Sequence, residues 1–304
     1  MKIIKKILIT ISVLIVVSIA GLYLYFNQKF SPEANYLTVQ NESGKVPMIW
    51  TDQSKTALLL PVQFQNNSKI YFMQLDTGSP STLFYSNSLQ KIKGISIENN
   101  RVKTQIKIGK SLISSDKFQV IQTSSKSIED SIQIIGTIGS DILENRLTYL
   151  NFKENYVELN LKNQPKLDSK NTFEYFFKKR KLIIPATLKE KKEQFIYDSG
   201  TSAYELLTNK EVWNSLKLPN SPVTIEKENS WGNVLTTYTT QTKENIRFNS
   251  MQIPLMEITY VEGYSKTQYA LMKFSKMTGM LGNKIFFNQK IFIDGKDLKM
   301  NISN

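Results

Sequence analysis

The sequence predicts an all-β protein built from two similar halves and preceded by one transmembrane helix. Three observations support this prediction. The chain of 304 residues carries the pattern Asp-(Thr/Ser)-Gly-(Ser/Thr) after an apolar strand twice, starting at positions 76 and 198. Many apolar stretches are short and alternate with polar residues, which is typical of half-buried strands. An uncharged apolar segment near the N-terminus is long enough to cross a bilayer.

The segment Ile7–Phe26 carries no charge and follows three lysines within the first six residues. As a helix it spans about 30 Å, the thickness of a bilayer core. Because basic residues stay on the cytoplasmic side, residues 1–6 are predicted to be cytoplasmic, residues 7–26 transmembrane and the rest extracytoplasmic at the cell membrane. The alternative is a cleaved signal peptide with Ser18-Ile19-Ala20 at its cleavage site. Apolar residues continue to Phe26, which favours an uncleaved anchor.

Residues 27–55 are polar and contain two prolines and a glycine, so they are predicted to form a tether with an edge strand near Tyr36–Val39. The first half is assigned to residues 56–165 and contains the Asp76 motif. The second half is assigned to residues 166–304 and contains the Asp198 motif.

Each motif is preceded by two apolar runs separated by a polar turn, which predicts a β-hairpin. The runs are Leu58–Phe64 and Ile70–Leu75 in the first half, and Leu182–Leu188 and Phe195–Tyr197 in the second. Each motif is followed, after a middle of different length, by an apolar-Gly pair and a final hairpin. Further strands are predicted at 82–85, 95–97, 102–108, 118–121, 223–225, 234–242 and 253–261, with helical turns at 86–92 and 209–216.

The chain has no histidine and no cysteine. This excludes disulfides, thiol nucleophiles, Ser-His triads and zinc sites with His or Cys ligands. Acid-base chemistry must therefore use carboxylates, lysine, tyrosine or water, and neither a metal nor a cofactor is predicted.

The formal charge of +13 allows attraction to an anionic surface such as phospholipid, wall polymer or nucleic acid, or reflects a lysine-rich background. The lysines are spread along the chain and form no cluster of arginine with aromatic residues, so nucleic-acid binding is not predicted. The predicted partners are a peptide or protein substrate and, through the N-terminal helix, the membrane. The protein is expected to be a monomer.

Two such motifs, followed by Ile138-Gly139 and Leu281-Gly282, resemble those of the pepsin-like aspartic proteases. The short halves are also similar to retropepsin-like, single-lobe proteases fused in one chain. The resemblance covers residues 56–304. It implies a two-lobed all-β fold whose lobes are related by a pseudo-twofold axis, with one catalytic aspartate in each lobe, Asp76 and Asp198.

The resemblance also implies supporting roles for the other loop residues, which are Thr77, Gly78, Ser79, Ser199, Gly200 and Thr201. Thr77 and Ser199 are expected to hydrogen-bond across the two loops. The hydroxyls of Ser79 and Thr201 are expected to donate to the outer carboxylate oxygens. The two glycines are expected to let backbone N–H groups approach the carboxylates, and the apolar-Gly pairs to support the loops from below.

One departure from the family concerns the flap, a lobe-one hairpin that carries a tyrosine in pepsin-like enzymes. Residues 86–148 contain neither tyrosine nor tryptophan, and the corresponding hairpin around Glu98–Arg101 lacks glycine. A turn in the second half contains Trp231 and Gly232, which are therefore candidate substrate-binding residues.

Two carboxylates about 3 Å apart share one proton, so one activates a water while the other protonates a carbonyl. The sequence therefore predicts an aspartic-type endopeptidase. The alternatives are a catalytically inactive two-lobed peptide-binding protein and a surface adhesion protein. The hydroxyl residues Ser79 and Thr201 are both present, which favours the enzyme.

Overall fold

The computed structural model describes residues 2–29, 31–65, 67–122, 132–230, 233–265 and 275–304. Residues 1–34 form one compact unit and residues 35–304 form another. The first unit consists of helix α1 (Lys2–Lys29), whose large apolar side chains are exposed. Its stretch Ile3–Lys29 is long and apolar enough to cross a membrane or to serve as a signal sequence.

The described part of the second unit is mostly β-structure. In the first half its strands are β1 (Thr38–Gln40), β2 (Val46–Pro47), β3 (Ile49–Trp50), β4 (Leu58–Phe64), β5 (Tyr71–Leu75), β6 (Leu83–Tyr85), β7 (Arg101–Ile108), β8 (Ser111–Ile121), β9 (Ile134–Ile138), β10 (Leu147–Asn151) and β11 (Tyr156–Leu161). In the second half they are β12 (Thr172–Glu174), β13 (Phe176–Lys178), β14 (Lys181–Leu188), β15 (Lys191–Tyr197), β16 (Leu206–Thr208), β17 (Val223–Ser230), β18 (Asn233–Phe248), β19 (Met251–Glu262), β20 (Gly279–Leu281), β21 (Lys290–Asp294) and β22 (Lys299–Ser303). Two short helices follow the motifs, α2 (Ser86–Leu89) and α3 (Lys210–Leu216).

The repeat seen in the sequence is present in the strand topology. The first half forms a sheet of order β1-β8-β6-β9-β5-β4-β3, with β7 beside β4 and β8. The second half forms a sheet of order β13-β14-β15-β20-β16-β19-β18-β17, with β18 also beside β14. In each sheet the strand before the motif runs parallel to the strand of the apolar-Gly pair, β5 with β9 and β15 with β20. The strands before each motif also pair antiparallel, β4 with β5 and β14 with β15, so both predicted hairpins are confirmed.

A third sheet joins the two halves in the order β12-β22-β21-β10-β11-β2. Its central contact is the antiparallel pair β10–β21, in register from Leu147 opposite Asp294 to Asn151 opposite Lys290. The residues predicted to be a tether add three strands to the fold. The predicted edge strand is β1, which pairs with β8, whereas β2 and β3 are too short to have been recognised from alternation.

Strand alternation sets which side chains reach the core and which reach the site. In β15 the side chains of Phe195 and Tyr197 are fully buried, so the next residue, Asp198, points to the opposite face. Met73 and Leu75 are likewise buried ahead of Asp76. Each such apolar side chain contributes about 1.5–3 kcal/mol when removed from water, so its burial stabilises the strands that carry the two loops.

One predicted strand is wrong. Residues 95–97 pair with no described strand, and the neighbouring bridge joins only Glu98 to Arg101. The intervening Asn99 and Asn100 have φ values of 50° and 58°, a conformation that asparagine tolerates and that makes a two-residue turn. Because the chain reverses at once, residues 95–97 have no partner across the turn.

Candidate active site

The two Asp motifs lie on loops that follow equivalent strands, β5 and β15. The backbone N–H of Asp76 donates to Ile138 O (3.0 Å), and that of Asp198 donates to Leu281 O (2.9 Å). The strands of the apolar-Gly pairs thus support both loops, as predicted. A Cβ atom added at Gly139 would lie 2.5 Å from Ser81 O, so the close approach of strand and loop requires glycine there.

The two loops are joined by reciprocal hydrogen bonds between buried groups. Thr77 N–H donates to Ser199 Oγ (2.9 Å), and Ser199 N–H donates to Thr77 Oγ1 (2.9 Å). Each hydroxyl also donates to the strand end of the other half, Thr77 Oγ1 to Tyr197 O (2.9 Å) and Ser199 Oγ to Leu75 O (2.8 Å). The expected cross-bonding is therefore present, and it fixes the two loops face to face.

The arrangement brings the two carboxyl groups together. A Cβ atom added at Gly200 would lie 2.5 Å from Asp76 Oδ1 and 3.0 Å from Asp198 Oδ1, and both aspartates are half-buried. Burial, followed by the charge of Asp76, raises the pKa of Asp198 to about 7. Gly200 N–H donates to Asp198 Oδ1 (2.9 Å) and opposes this rise of the pKa. On the other loop, Ser79 N–H donates to Asp76 Oδ1 (3.1 Å) and holds that carboxyl group. The pair is therefore built to hold one proton near neutral pH.

The motif glycines leave room for the carboxylates of the opposite loop. A Cβ atom at Gly200 would lie 2.5 Å from Asp76 Oδ1, and one at Gly78 would lie 2.5 Å from Asp198 Oδ2. Either distance is far below a normal van der Waals contact. Gly78 and Gly200 are therefore needed for the approach of the two acids.

The hydroxyls that end the two motifs differ from expectation. Ser79 Oγ donates to Ser81 O (2.9 Å), and Thr201 Oγ1 donates to the backbone oxygen of Asp198 (2.8 Å). A hydroxyl has one proton to donate, so neither donates to an outer carboxylate oxygen. The prediction for these two hydroxyls is wrong in this structure because each closes its own turn instead.

A second buried acid, which sequence reasoning missed, fastens the first loop to its supporting strand. Asp141 is 1% exposed and accepts from Thr82 N–H (2.7 Å) and Thr82 Oγ1 (2.7 Å). Thr82 Oγ1 also accepts from Gly139 N–H (3.1 Å). Burial raises the pKa of Asp141 to about 6, while the bonds from Thr82 and the nearby arginines oppose the rise.

The second half uses a neutral amide for a related purpose. Asn283 Nδ2 donates to Ser202 Oγ (2.6 Å), and its Oδ1 accepts from the hydroxyl of Tyr197 (2.7 Å). Asp141 and Asn283 both come one or two residues after the apolar-Gly pair. A polar residue just after the apolar-Gly pair was the sequence signal for both.

The structure also places a tyrosine near the first acid. Burial raises the pKa of Tyr85, and the charge of Asp76 adds to the rise. Its hydroxyl lies 2.8 Å from Thr137 Oγ1 on the supporting strand β9. Tyr85 comes directly before residues 86–148, which contain no tyrosine.

The two hairpins considered for the flap differ greatly in length. At Glu98–Arg101 the chain makes only a tight turn, closed by Glu98 N–H to Arg101 O (2.9 Å) and Arg101 N–H to Glu98 O (2.8 Å). In the second half, β17 and β18 pair over eight positions, from Val223 with Thr240 to Ser230 with Asn233. Trp231 and Gly232 lie outside the described residues.

Comparisons with known proteins agree with the fold. No protein-family model matches the chain, and no curated protein matches its sequence significantly. Among solved structures, the chain is similar to the aspartic proteinase from Irpex lacteus, with a TM-score of 0.53 and 11% identity. The match covers 87% of this chain and 97% of that chain. At this identity the similarity shows an aspartic-proteinase-like fold.

Proposed function

We propose that the protein is an aspartic-type endopeptidase in which Asp76 and Asp198 are the catalytic pair. The observation that carries this proposal is the close approach of the two carboxyl groups, which both lie against Gly200 on loops tied by reciprocal hydrogen bonds. A pair that shares one proton offers a base and an acid at the same place. Among the described residues, no group of three or more His, Cys, Asp or Glu side chains is placed to hold a metal ion.

In the proposed reaction the ionised carboxylate takes a proton from a water held between the two acids. The water oxygen bonds to the carbonyl carbon of the peptide while the protonated carboxyl gives its proton to the carbonyl oxygen. The C–N bond then breaks, the leaving nitrogen takes the proton held by the pair, and one hydroxyl of the tetrahedral intermediate returns its proton to the pair as the carboxylic acid forms. Atoms and protons balance without a covalent intermediate or a cofactor.

The supporting residues keep this geometry. Thr77 and Ser199 fix the separation of the loops, while Gly78 and Gly200 admit the opposite carboxylates. In the proposed enzyme Trp231 and Gly232 contribute to substrate binding. The peptide or protein substrate occupies the groove between the two lobes, residues 56–165 and 166–304, related by a pseudo-twofold axis.

We further propose that α1 anchors a monomeric enzyme in the cell membrane, with the N-terminus cytoplasmic and the catalytic unit outside. The length and apolar composition of Ile3–Lys29 and the three lysines at its start support this topology. The spread of the basic residues supports peptide rather than nucleic acid as the partner.

The proposal is tested by digesting a mixed peptide library from about pH 3 to pH 7 with the full-length protein in detergent. Asp76→Asn and Asp198→Asn should each lower the rate by on the order of a thousandfold, and the double variant should be little worse. Asp297→Asn removes an exposed acid and serves as the matched control. If both single variants cleave as fast as wild type, the enzyme proposal fails and the peptide-binding alternative replaces it.

A further inference from the structure

The strand registers place a lysine opposite one acid of the pair and an alanine opposite the other. In the β14–β15 ladder the pair nearest the motif is Leu182 with Tyr197, so the next residues on the two strands are Lys181 and Asp198. In the β4–β5 ladder, Leu59 pairs with Gln74, and the same count sets residue 57, an alanine, opposite Asp76. Residues opposite each other in a ladder have neighbouring side chains, so the pair has a cation on one side.

The ammonium of Lys181 is fixed in this position. Lys181 Nζ donates to the backbone oxygen of Gly78, the residue that packs against the Asp198 carboxylate. The charge of Lys181 acts on Asp198 against the effects of burial and of Asp76. The side chain is half-buried, so its interaction with the carboxylate is only partly screened by solvent.

The neighbouring residue clamps the hairpin that carries this lysine. Arg180 is 6% exposed, its Nε donates to Glu144 Oε2 (2.9 Å), and its Nη1 donates to Pro80 O (3.3 Å). The turn between β13 and β14 is the left-handed pair Lys179-Arg180, with φ values of 51° and 57°. The turn and the ion pair thus hold the β14 end against the first motif loop, which leaves Lys181 directed at the pair.

We propose that Lys181 is a positioning residue of the acid pair: its ammonium ties Gly78 to the second half and stabilises the single negative charge that Asp76 and Asp198 share. The expected effect on the pH–activity profile rests on the proposed function. The expected effect on the protonation of the acid pair does not, because it concerns only the folded protein. A neutral residue at position 181 makes the pair take up its protons at higher pH. The lower and upper limits of the pH–activity profile then both move upward.

Two phenols lie near the pair. Tyr197 is fully buried on the opposite face of β15 and donates to Asn283, while Tyr85 lies beside Thr137, where the charge of Asp76 acts on it. Both phenols are neutral at working pH because burial raises their pKa values. Lys181, the described cation whose charge acts on Asp198, is therefore the residue to replace.

The test measures the titration of Asp198 directly. The full-length protein in micelles carries ¹³C at the aspartate carboxyl carbons, and the Asp198 signal is identified by its loss in Asp198→Asn. Lys181→Gln keeps a donor for Gly78 and removes the charge, so the Asp198 midpoint should rise by about one pH unit or more. Lys181→Arg should restore the wild-type midpoint. The control is Lys178→Gln, an exposed lysine on the same hairpin.

Peptide hydrolysis is measured on the same proteins across the pH range. In Lys181→Gln the pH–activity profile should move in the same direction as the midpoint. A midpoint equal to wild type in both Lys181→Gln and Lys181→Met overturns the proposal, even if hydrolysis is normal. If the Asp198 midpoint shifts in Lys181→Gln but the wild-type protein hydrolyses no peptide, the Lys181 assignment is supported and the proposed function is wrong.

Discussion

Replacing Asp198 with asparagine should raise the free energy of unfolding near neutral and alkaline pH. The pKa of Asp198 rises from 3.8 to about 7 on folding, so the folded protein binds this proton more tightly than the unfolded chain. The contribution of Asp198 to stability is therefore fully present below about pH 4. It is lost as the pH rises from there through about 7, because the unfolded chain ionises first.

The size of the effect follows from the shift. About three pKa units correspond to about 4 kcal/mol at a pH above both values. This is an upper bound because Asp198 is only half-buried and because Lys181 loses its charged neighbour in the variant. Asparagine keeps an oxygen for the N–H of Gly200, which donates to Asp198 Oδ1 at 2.9 Å. We expect a gain of about 1–4 kcal/mol at about pH 8.

Urea unfolding from about pH 4 to pH 8 measures this gain. Wild type and Asp198→Asn should have similar unfolding free energies at the acidic end and diverge as the pH rises. Asp297→Asn, which removes an exposed acid, should follow wild type throughout. Parallel curves for wild type and Asp198→Asn would refute the electrostatic account of the pair. The slope shared by all three proteins includes the contributions of Asp141, whose pKa is about 6, and of Glu205, whose pKa is also raised by burial.

Four further outcomes are expected. Ser199→Ala removes a buried hydroxyl bonded across the loops and should lower the free energy of unfolding in urea by about 1–3 kcal/mol. Gly200→Ala places a Cβ atom 2.5 Å from a carboxylate oxygen and should reduce peptide hydrolysis by about a hundredfold. Thr82→Val removes the hydroxyl that donates to the buried Asp141, while the backbone N–H donor stays, and should lower the urea midpoint with a loss of about 1–3 kcal/mol. Protease added to intact spheroplasts should degrade the region after Phe26, and its full protection would reverse the proposed orientation.

The parts of the fold that sequence predicts are those set by local pattern. The apolar runs Leu58–Phe64 and Leu182–Leu188 form strands; the second buries alternate residues, and the first is buried on both faces at Leu58–Leu60. The motifs could be placed at strand ends because they directly follow apolar runs. The cross-bonds of Thr77 and Ser199 came from the family resemblance and are present in the structure.

The missed features depend on register and on competition between neighbouring acceptors. That Lys181 faces Asp198 follows from which residues pair across β14 and β15, and a slip of one residue would turn it to the other face. The hydroxyls of Ser79 and Thr201 donate to backbone oxygens of their own turns, and the motif alone does not specify that acceptor. Asp141 was overlooked because an isolated aspartate after glycine is common in turns.

The sheet that joins the two halves has a consequence for folding during synthesis. Strand β10 obtains its partner β21 only when residues 290–294 have been synthesised, and β21 in turn pairs with β22 near the C-terminus. A nascent chain that stops earlier leaves β10 as an open sheet edge, and such long-range pairing is slow to form. The sheet therefore joins the two halves only after residues 290–294 have been made, and until then the two acids lack this support.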